Sequence, residues 1–148
     1  GVIDVMDRLT RIINPKKIFM GEKDFQQLYL VKNYIEKKFN SKVISCKTIR
    51  NQNQVALSSR NSHLDKNDLI IMGKIVKKIL FIKSNLKNQK NIKKYLLQKK
   101  KDLNILYKIK IEYFELRNIK NFKTTNKIYN ARLFIAYHLK KIRLIDNI

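Results

Sequence analysis

The sequence predicts an α/β chain: a parallel strand–helix–strand unit over residues 1–48, then a small α+β unit over residues 49–148. Three observations predict it. Two short apolar runs, "KKIFM" and "KVISC", flank a helical pattern, and that order is a βαβ unit with a parallel sheet. The polar, aperiodic stretch "KTIRNQNQVALSSRNSHL" then breaks the pattern, which puts a boundary near Thr48. Beyond it, two helical patterns precede alternating, β-branched runs, as in an α+β unit.

The elements follow in order. In "GVIDVMDRLTRIIN", Val2, Val5, Met6, Leu9 and Ile13 recur at helical spacing, and Pro15 stops the helix. "KKIFM" reads as a short buried strand ending at Gly21. Asp24 is suited to cap the next helix, whose apolar face carries Leu28, Val31, Ile35 and Phe39. "KVISC" is the second buried strand, with Cys46 packed inside it. Asp65 is suited to cap a long helix through Leu69, Met72, Ile75, Val76, Ile79 and Leu80. "NQKNIKKYLLQKKKDLN" is a second, very basic helix. "ILYKIKIEYFEL" alternates and reads as a strand. "ARLFIAYHL", the turn "KK" and "IRLIDN" form a closing hairpin. There is no internal repeat.

Composition bounds the function. The chain has 148 residues and is 44% hydrophobic, enough for a real core. Lys plus Arg number 34 against 11 Asp plus Glu, so the formal charge is 34 − 11 = +23. Such an excess suits a polyanionic partner. Yet the lysines are scattered among isoleucines and asparagines along the whole chain, which reads as compositional drift with weak, sequence-blind affinity for nucleic acid. One cysteine rules out an internal disulfide and fits a reducing cytoplasm. No apolar run approaches the roughly 20 residues that span a bilayer. Gly1 stands where a methionine would begin a chain, so the start of the protein is expected to be missing.

Two polar clusters stand out. The first is "GEKD", Gly21 to Asp24, between a strand and a helix. Gly21 would let the backbone turn sharply and a ligand approach closely. Unpaired N–H groups at the helix start, with Lys23 beside them, make an anion site. An ordinary helix start, with Asp24 as cap and Lys23 in solvent, is the simpler reading of spacing alone. Gln26 and Gln27 follow; Gln27 lies next to the apolar face and could point into a cleft. The second cluster is "LSSRN", Leu57 to Asn61. Two hydroxyls and a guanidinium form a compact oxyanion binder, and a turn with an exposed arginine is again the simpler alternative. His63 and His138 lack partners at metal-ligand spacing, so no metal site is expected. Tyr107, Tyr113 and Phe114 read as core and not as a base-stacking platform.

Taken together, "GVIDVMDRLTRIINPKKIFMGEKDFQQLYLVKNYI", "TIR…VALSSRNSHL" and "ARLFIAYHLKKIRLIDN" resemble the pantothenate synthetases, the pantoate–β-alanine ligases. The resemblance spans nearly the whole chain and is weakest from Asp65 to Tyr107. It implies a partial Rossmann-like nucleotide-binding domain, residues 1–48, and a small lid domain, residues 49–148. It implies ATP-dependent condensation of pantoate with β-alanine through a pantoyl adenylate, with Mg2+ accompanying the ATP and no tightly bound cofactor. Position by position, Gly21, Glu22, Lys23 and Asp24 match the segment lining the ATP site. Ile49 matches a position whose backbone faces the adenine. Leu57, Ser58, Ser59 and Arg60 match the loop that grips the phosphates. Lys23, Ser58, Ser59 and Arg60 carry the catalytic roles, and Gln27 matches the glutamine that binds pantoate. Val5 and Met6 fall where the family packs apolar residues beside pantoate. The implied partners are these small molecules, with a homodimer possible in the full-length enzyme, and neither a specific nucleic acid nor a membrane.

The sequence also departs from the family. The N-terminal His-x-Gly-His signature and an upstream pantoate-binding glutamine are absent, so the chain reads as a C-terminal half, inactive alone. Asn53-Gln54 replaces the usual Asp-Gly before the serine loop, which costs that turn its glycine. The other readings are a basic nucleic-acid-binding protein, disfavoured by the scattered lysines, and a nucleotidyl transferase for a different acid, disfavoured by Gln27.

Overall fold

Pro15 cannot continue a helix, and helix α1, Val2–Ile13, stops two residues before it. Asn14 ends it in the left-handed conformation (φ 49°), its N–H donating to the Thr10 carbonyl at 2.8 Å. In the computed structural model, which describes residues 1–148, the chain divides into two units, Gly1–Thr48 and Ile49–Ile148.

The first unit is parallel strand–helix–strand. Strands β1, Lys17–Gly21, and β2, Lys42–Cys46, pair in parallel with Ile18 opposite Val43 and Phe19 opposite Ile44. Helix α2, Phe25–Lys38, crosses between them. Its Leu28, Val31 and Ile35, spaced three and four apart, are buried with Val43 and form the core of this unit. Val31 and Ile35 are fully buried, and each such burial is worth about 1.5–3 kcal/mol. Polar clamps close the unit. Asp7 on α1 accepts from Arg11, Lys38 and the Tyr34 hydroxyl, and these partners hold its carboxyl well below the usual carboxylate range. Glu36 accepts the Val43 N–H at 2.9 Å.

Three expectations fail here, for one reason: a sheet of two strands is covered on one face only. β1 is not buried, and Phe19 is 67% exposed. Cys46 is exposed at the end of β2, not packed within it. On α1 only Val2 and Met6 join the core, while Val5, Leu9 and Ile13 of the predicted apolar face stand in solvent.

The second unit packs two helices on a three-stranded antiparallel sheet of order β3–β4–β5. Helix α3, Lys66–Ser84, starts at Asp65, the cap the sequence predicts, and the cap is reciprocal: the Asp65 carboxylate accepts the Asp68 N–H and Asp68 accepts that of Asp65. Helix α4 is Ile92–Tyr107, capped by Asn91. The strands are β3, Lys110–Asn118, β4, Ala131–Leu139, and β5, Ile142–Asn147. The closing hairpin matches its prediction. The preceding strand begins later than predicted, because α4 continues through Ile105–Tyr107. Lys108 in the left-handed conformation (φ 50°) ends that helix, and alternation in "ILYKIKI" concealed the switch. Ile75, Ile79, Leu103, Leu133 and Ile135 make up the centre of this core. Phe114 is buried in it, as predicted, and Tyr107 packs on its edge. Lys140 in the hairpin turn bridges Asp65 and Asp68 at 2.8 and 2.7 Å, which pins the turn to the start of α3.

Candidate functional site

In the first unit the "GEKD" segment forms a single 3-10 turn, Glu22–Asp24, between β1 and α2. Gly21 has φ −72° and ψ 136°, extended backbone that any residue adopts, so the sharp turn expected there is absent. Apart from its chain neighbours, no heavy atom lies within 4 Å of where a Cβ on Gly21 would sit; the glycine leaves open space instead of meeting a backbone demand. Asp24 occupies the N-cap position with φ −94° and ψ 51°, and its side chain accepts no backbone N–H. It is therefore not the side-chain cap the sequence suggested. Neither the 3-10 turn nor α2 has a side-chain cap, and the positive end of the α2 dipole lies at this segment. Glu22 and Lys23 are half-buried, and Asp24, Gln26 and Gln27 are exposed. Gln27 directly precedes buried Leu28 on the helix.

In the second unit the segment from Ile49 to His63 is a tight hairpin followed by a 3-10 turn. Leu57 donates its N–H to the Ile49 carbonyl at 3.0 Å, and Arg50 pairs with Ala56. The Ile49 side chain is 72% exposed. Ser58 caps the turn Ser59–His63, its hydroxyl accepting the Arg60 N–H at 3.3 Å. Asn61 ties the turn back by donating to the Ala56 carbonyl. Ser59 and Arg60 are exposed, and the Arg60 guanidinium enters no ion pair. Two hydroxyls and a guanidinium therefore project from a braced loop.

One feature of this loop was missed by sequence reasoning. Arg50 forms a bidentate pair with Asp146 at 2.8 and 2.8 Å, and donates also to the carbonyls of Gln54 and Asn147. Asp146 is 7% exposed. The "TIR" and "RLIDN" motifs are thus the two halves of one clamp, which holds the serine loop to β5. Burial, together with Arg132 and Arg50, presses the Lys83 ammonium below its usual range. At Gln54, where the sequence lacks the family's glycine, the backbone holds φ 65°, a left-handed conformation that favours glycine. Beside it, Asn53 packs on Gly73 of α3, where an added Cβ would come within 3.1 Å of the Asn53 Cβ.

His63 is exposed in the 3-10 turn, and His138 meets Glu112 at 2.6 Å on the sheet surface. No group of three His, Cys, Asp or Glu side chains has the arrangement to hold a metal ion. No helix is long and apolar enough to cross a membrane.

A strand–helix–strand unit with a lysine-bearing helix start, followed by an α+β unit with a hydroxyl–guanidinium loop, defines a two-unit α/β protein. The particular family is settled by comparison. The family model described as pantoate-beta-alanine ligase matches residues 1–148. The chain belongs to that family. It is 33% identical over 154 residues to a pantothenate synthetase of Flavobacterium psychrophilum, covering 100% of this chain and 54% of that protein. Its fold matches the crystal structure of pantothenate synthetase from Thermus thermophilus, with a TM-score of 0.88, 25% identity, and coverage of 100% of this chain and 54% of that one. It also matches pantoate-beta-alanine ligase from Francisella tularensis, complexed with beta-gamma ATP and beta-alanine, with a TM-score of 0.76, 30% identity, and coverage of 100% and 49%. The chain spans about half the length of the curated relatives it matches.

Proposed function

We propose that this chain forms the C-terminal half of a pantoate–β-alanine ligase: the last part of a Rossmann-like nucleotide-binding domain, then the lid domain. The observation that carries the reading is the family match over all 148 residues, with Asp24, Gln27, Ser59 and Arg60 exposed on the folded chain. In the reaction, a pantoate carboxylate oxygen attacks the α-phosphorus of ATP and pyrophosphate leaves. The β-alanine amine then attacks the acyl carbon of the pantoyl adenylate, loses a proton, and AMP leaves.

Such a transfer needs alignment and cations against developing charge more than covalent help. Lys23 and the N–H groups at the start of α2 hold phosphate oxygens. Gly21, Glu22 and Asp24 line the ATP, with room at Gly21 for close approach. Ser58, Ser59 and Arg60 grip the phosphates from the braced loop, with Leu57 beside them, and the Ile49 backbone faces the adenine. Gln27 hydrogen-bonds pantoate. Mg2+ accompanying the ATP would neutralise phosphate charge when bound. The reading carries with it a cytoplasmic location and, for the full-length enzyme, a homodimer.

Two measurements test it. Joined to the N-terminal half of the Flavobacterium psychrophilum relative, the chain should release AMP from ATP, pantoate and β-alanine; alone it should not. In the chimera, Lys23→Ala and Arg60→Ala should each slow adenylation by about 100-fold or more, and the double change should cost less than the product. Gln27→Ala should act mainly on pantoate affinity. An active parent chimera in which both single changes leave adenylation within about threefold would refute the phosphate roles.

A further inference from the structure

A cavity of about 230 Å3 lies in the second unit between α4 and β3. It is outside the segments given roles above. Its floor is the buried apolar surface of Leu96, Phe114 and Leu116. Its wall is the free edge of the sheet, because β3 is an outer strand. The edge is closed at one end only. There the chain returns so that Thr124 bridges Arg117 and Thr125 donates its N–H to the Leu116 carbonyl at 3.0 Å. The Leu116 carbonyl therefore points away from β4. Backbone groups alternate sides along a strand, and the bulge of β3 lies earlier, between Ile111 and Tyr113. The N–H and C=O of Phe114 consequently face the same open side, over the cavity. The next carbonyl on that side, of Glu112, is already taken by Lys100 Nζ at 2.6 Å.

The far lip is fixed. Asn126 Oδ1 accepts the Lys93 N–H at the start of α4, and Thr125 Oγ1 accepts the Lys127 N–H. The lining holds two lysines and two glutamates, and only the glutamates form ion pairs. Lys93 and Lys100 border the cavity without a carboxylate partner, while the carboxylates nearby are occupied, Glu112 by Arg143 and His138 and Glu115 by Arg117. A vacant strand position, an apolar floor and two uncompensated ammonium groups call for three matching features in a ligand.

We propose that this groove binds a small N-acyl amino-acid anion. Its amide pairs with the Phe114 backbone as an added strand would, its aliphatic side chain covers Leu96 and Leu116, and its carboxylate meets Lys93 and Lys100. The volume admits a ligand of roughly a dozen non-hydrogen atoms, and at about 0.3 kcal/mol per atom its affinity is about millimolar.

The probe is N-acetyl-leucine, titrated into the whole chain and followed by amide-resolved NMR. Saturable shifts are expected at Phe114, Glu115 and Thr125, with a Kd of about 1 mM. The neutral N-acetyl-leucinamide, and the Lys93→Ala variant with N-acetyl-leucine, should each bind about tenfold more weakly. The Lys93 side chain is exposed and only its backbone N–H is used in the fold, so this variant should keep the parent spectrum away from the groove. Leu97→Trp, at the exposed lip, should block the cavity and abolish the shifts. Shifts that do not saturate, that fall away from β3, or that are equal for acid and amide would overturn the proposal.

Discussion

Replacing Gln54 by glycine should stabilise the second unit. Gln54 sits at φ 65°, where a side chain crowds the following carbonyl at a cost of roughly 1–2 kcal/mol. Glycine removes that cost but gives up about 0.5–1 kcal/mol of extra chain entropy. The side chain is exposed, so no packing is lost. The backbone bonds survive any substitution, since Gln54 uses its N–H toward the Asn51 carbonyl at 2.9 Å and its carbonyl toward Arg50 Nη1 at 2.8 Å. The net expectation is a gain of about 0.5–1 kcal/mol, or roughly 2–5 °C in Tm. Asparagine, which tolerates the left-handed region, should give a smaller gain, and β-branched valine should lose about 1 kcal/mol or more. Because the chain has two units, the urea midpoint should be read from amides within Ile49–Ile148. The ranking glycine above asparagine above glutamine above valine is the expected result. A glycine variant no more stable than the parent, or a valine variant equal to it, would refute the strain argument.

The remaining predictions concern charge. Arg50→Ala strands the buried Asp146 carboxylate and should destabilise the second unit by roughly 2–4 kcal/mol, with increased amide exchange from residues 49 to 57; unchanged exchange would mean the clamp does not brace the loop. Arg143, then His138, depress the Glu112 carboxyl from 4.5 to about 2. A depressed folded pKa stabilises the fold above the unfolded value, so this contribution should be lost as pH falls from about 4.5 through about 2. Asp7, Asp65 and Asp102 are lowered in the same direction, and Arg143→Ala should flatten the acid limb of a stability-against-pH curve. Added salt screens both the ion pairs and the repulsion among the excess cations. With a charge of +23 repulsion should dominate, and the urea midpoint should rise between low and moderate salt; a fall would place the ion pairs first.

The order and type of the elements were legible because each has a local cause: Pro15 after α1, the three–four spacing of Leu28, Val31 and Ile35, the Asp65 cap, and the alternation of "ARLFIAYHL". What failed was burial in the first unit. An apolar run such as "KKIFM" states that a strand wants covering, and only tertiary structure decides how many faces are covered. Of the candidate site, the residue types and their loops were readable, as the exposed Ser59 and Arg60 show. The brace beneath them was not. Arg50 and Asp146 are far apart in sequence, and nothing local marks either as the other's partner.

The charge of the chain looks different once the acids are located. Asp7 fastens α1 to α2, Asp65 and Asp68 fasten the β4–β5 turn to α3, Asp146 fastens the serine loop to β5, and Glu112 joins β3 to both β4 and β5. Glu36 satisfies a β2 donor. Of only 11 acids against 34 bases, these six sit where a contact between elements needs an anion, while Asp4, Asp102 and Glu115 pair within their own elements. Lysines elsewhere fill solvent-facing positions, where one more cation costs little beyond weak mutual repulsion in water. Solvent-facing positions therefore accept lysine at little cost to the fold, and positions that hold two elements together do not. The same asymmetry makes the acids, and not the far more numerous bases, the charged residues whose replacement should be felt in stability.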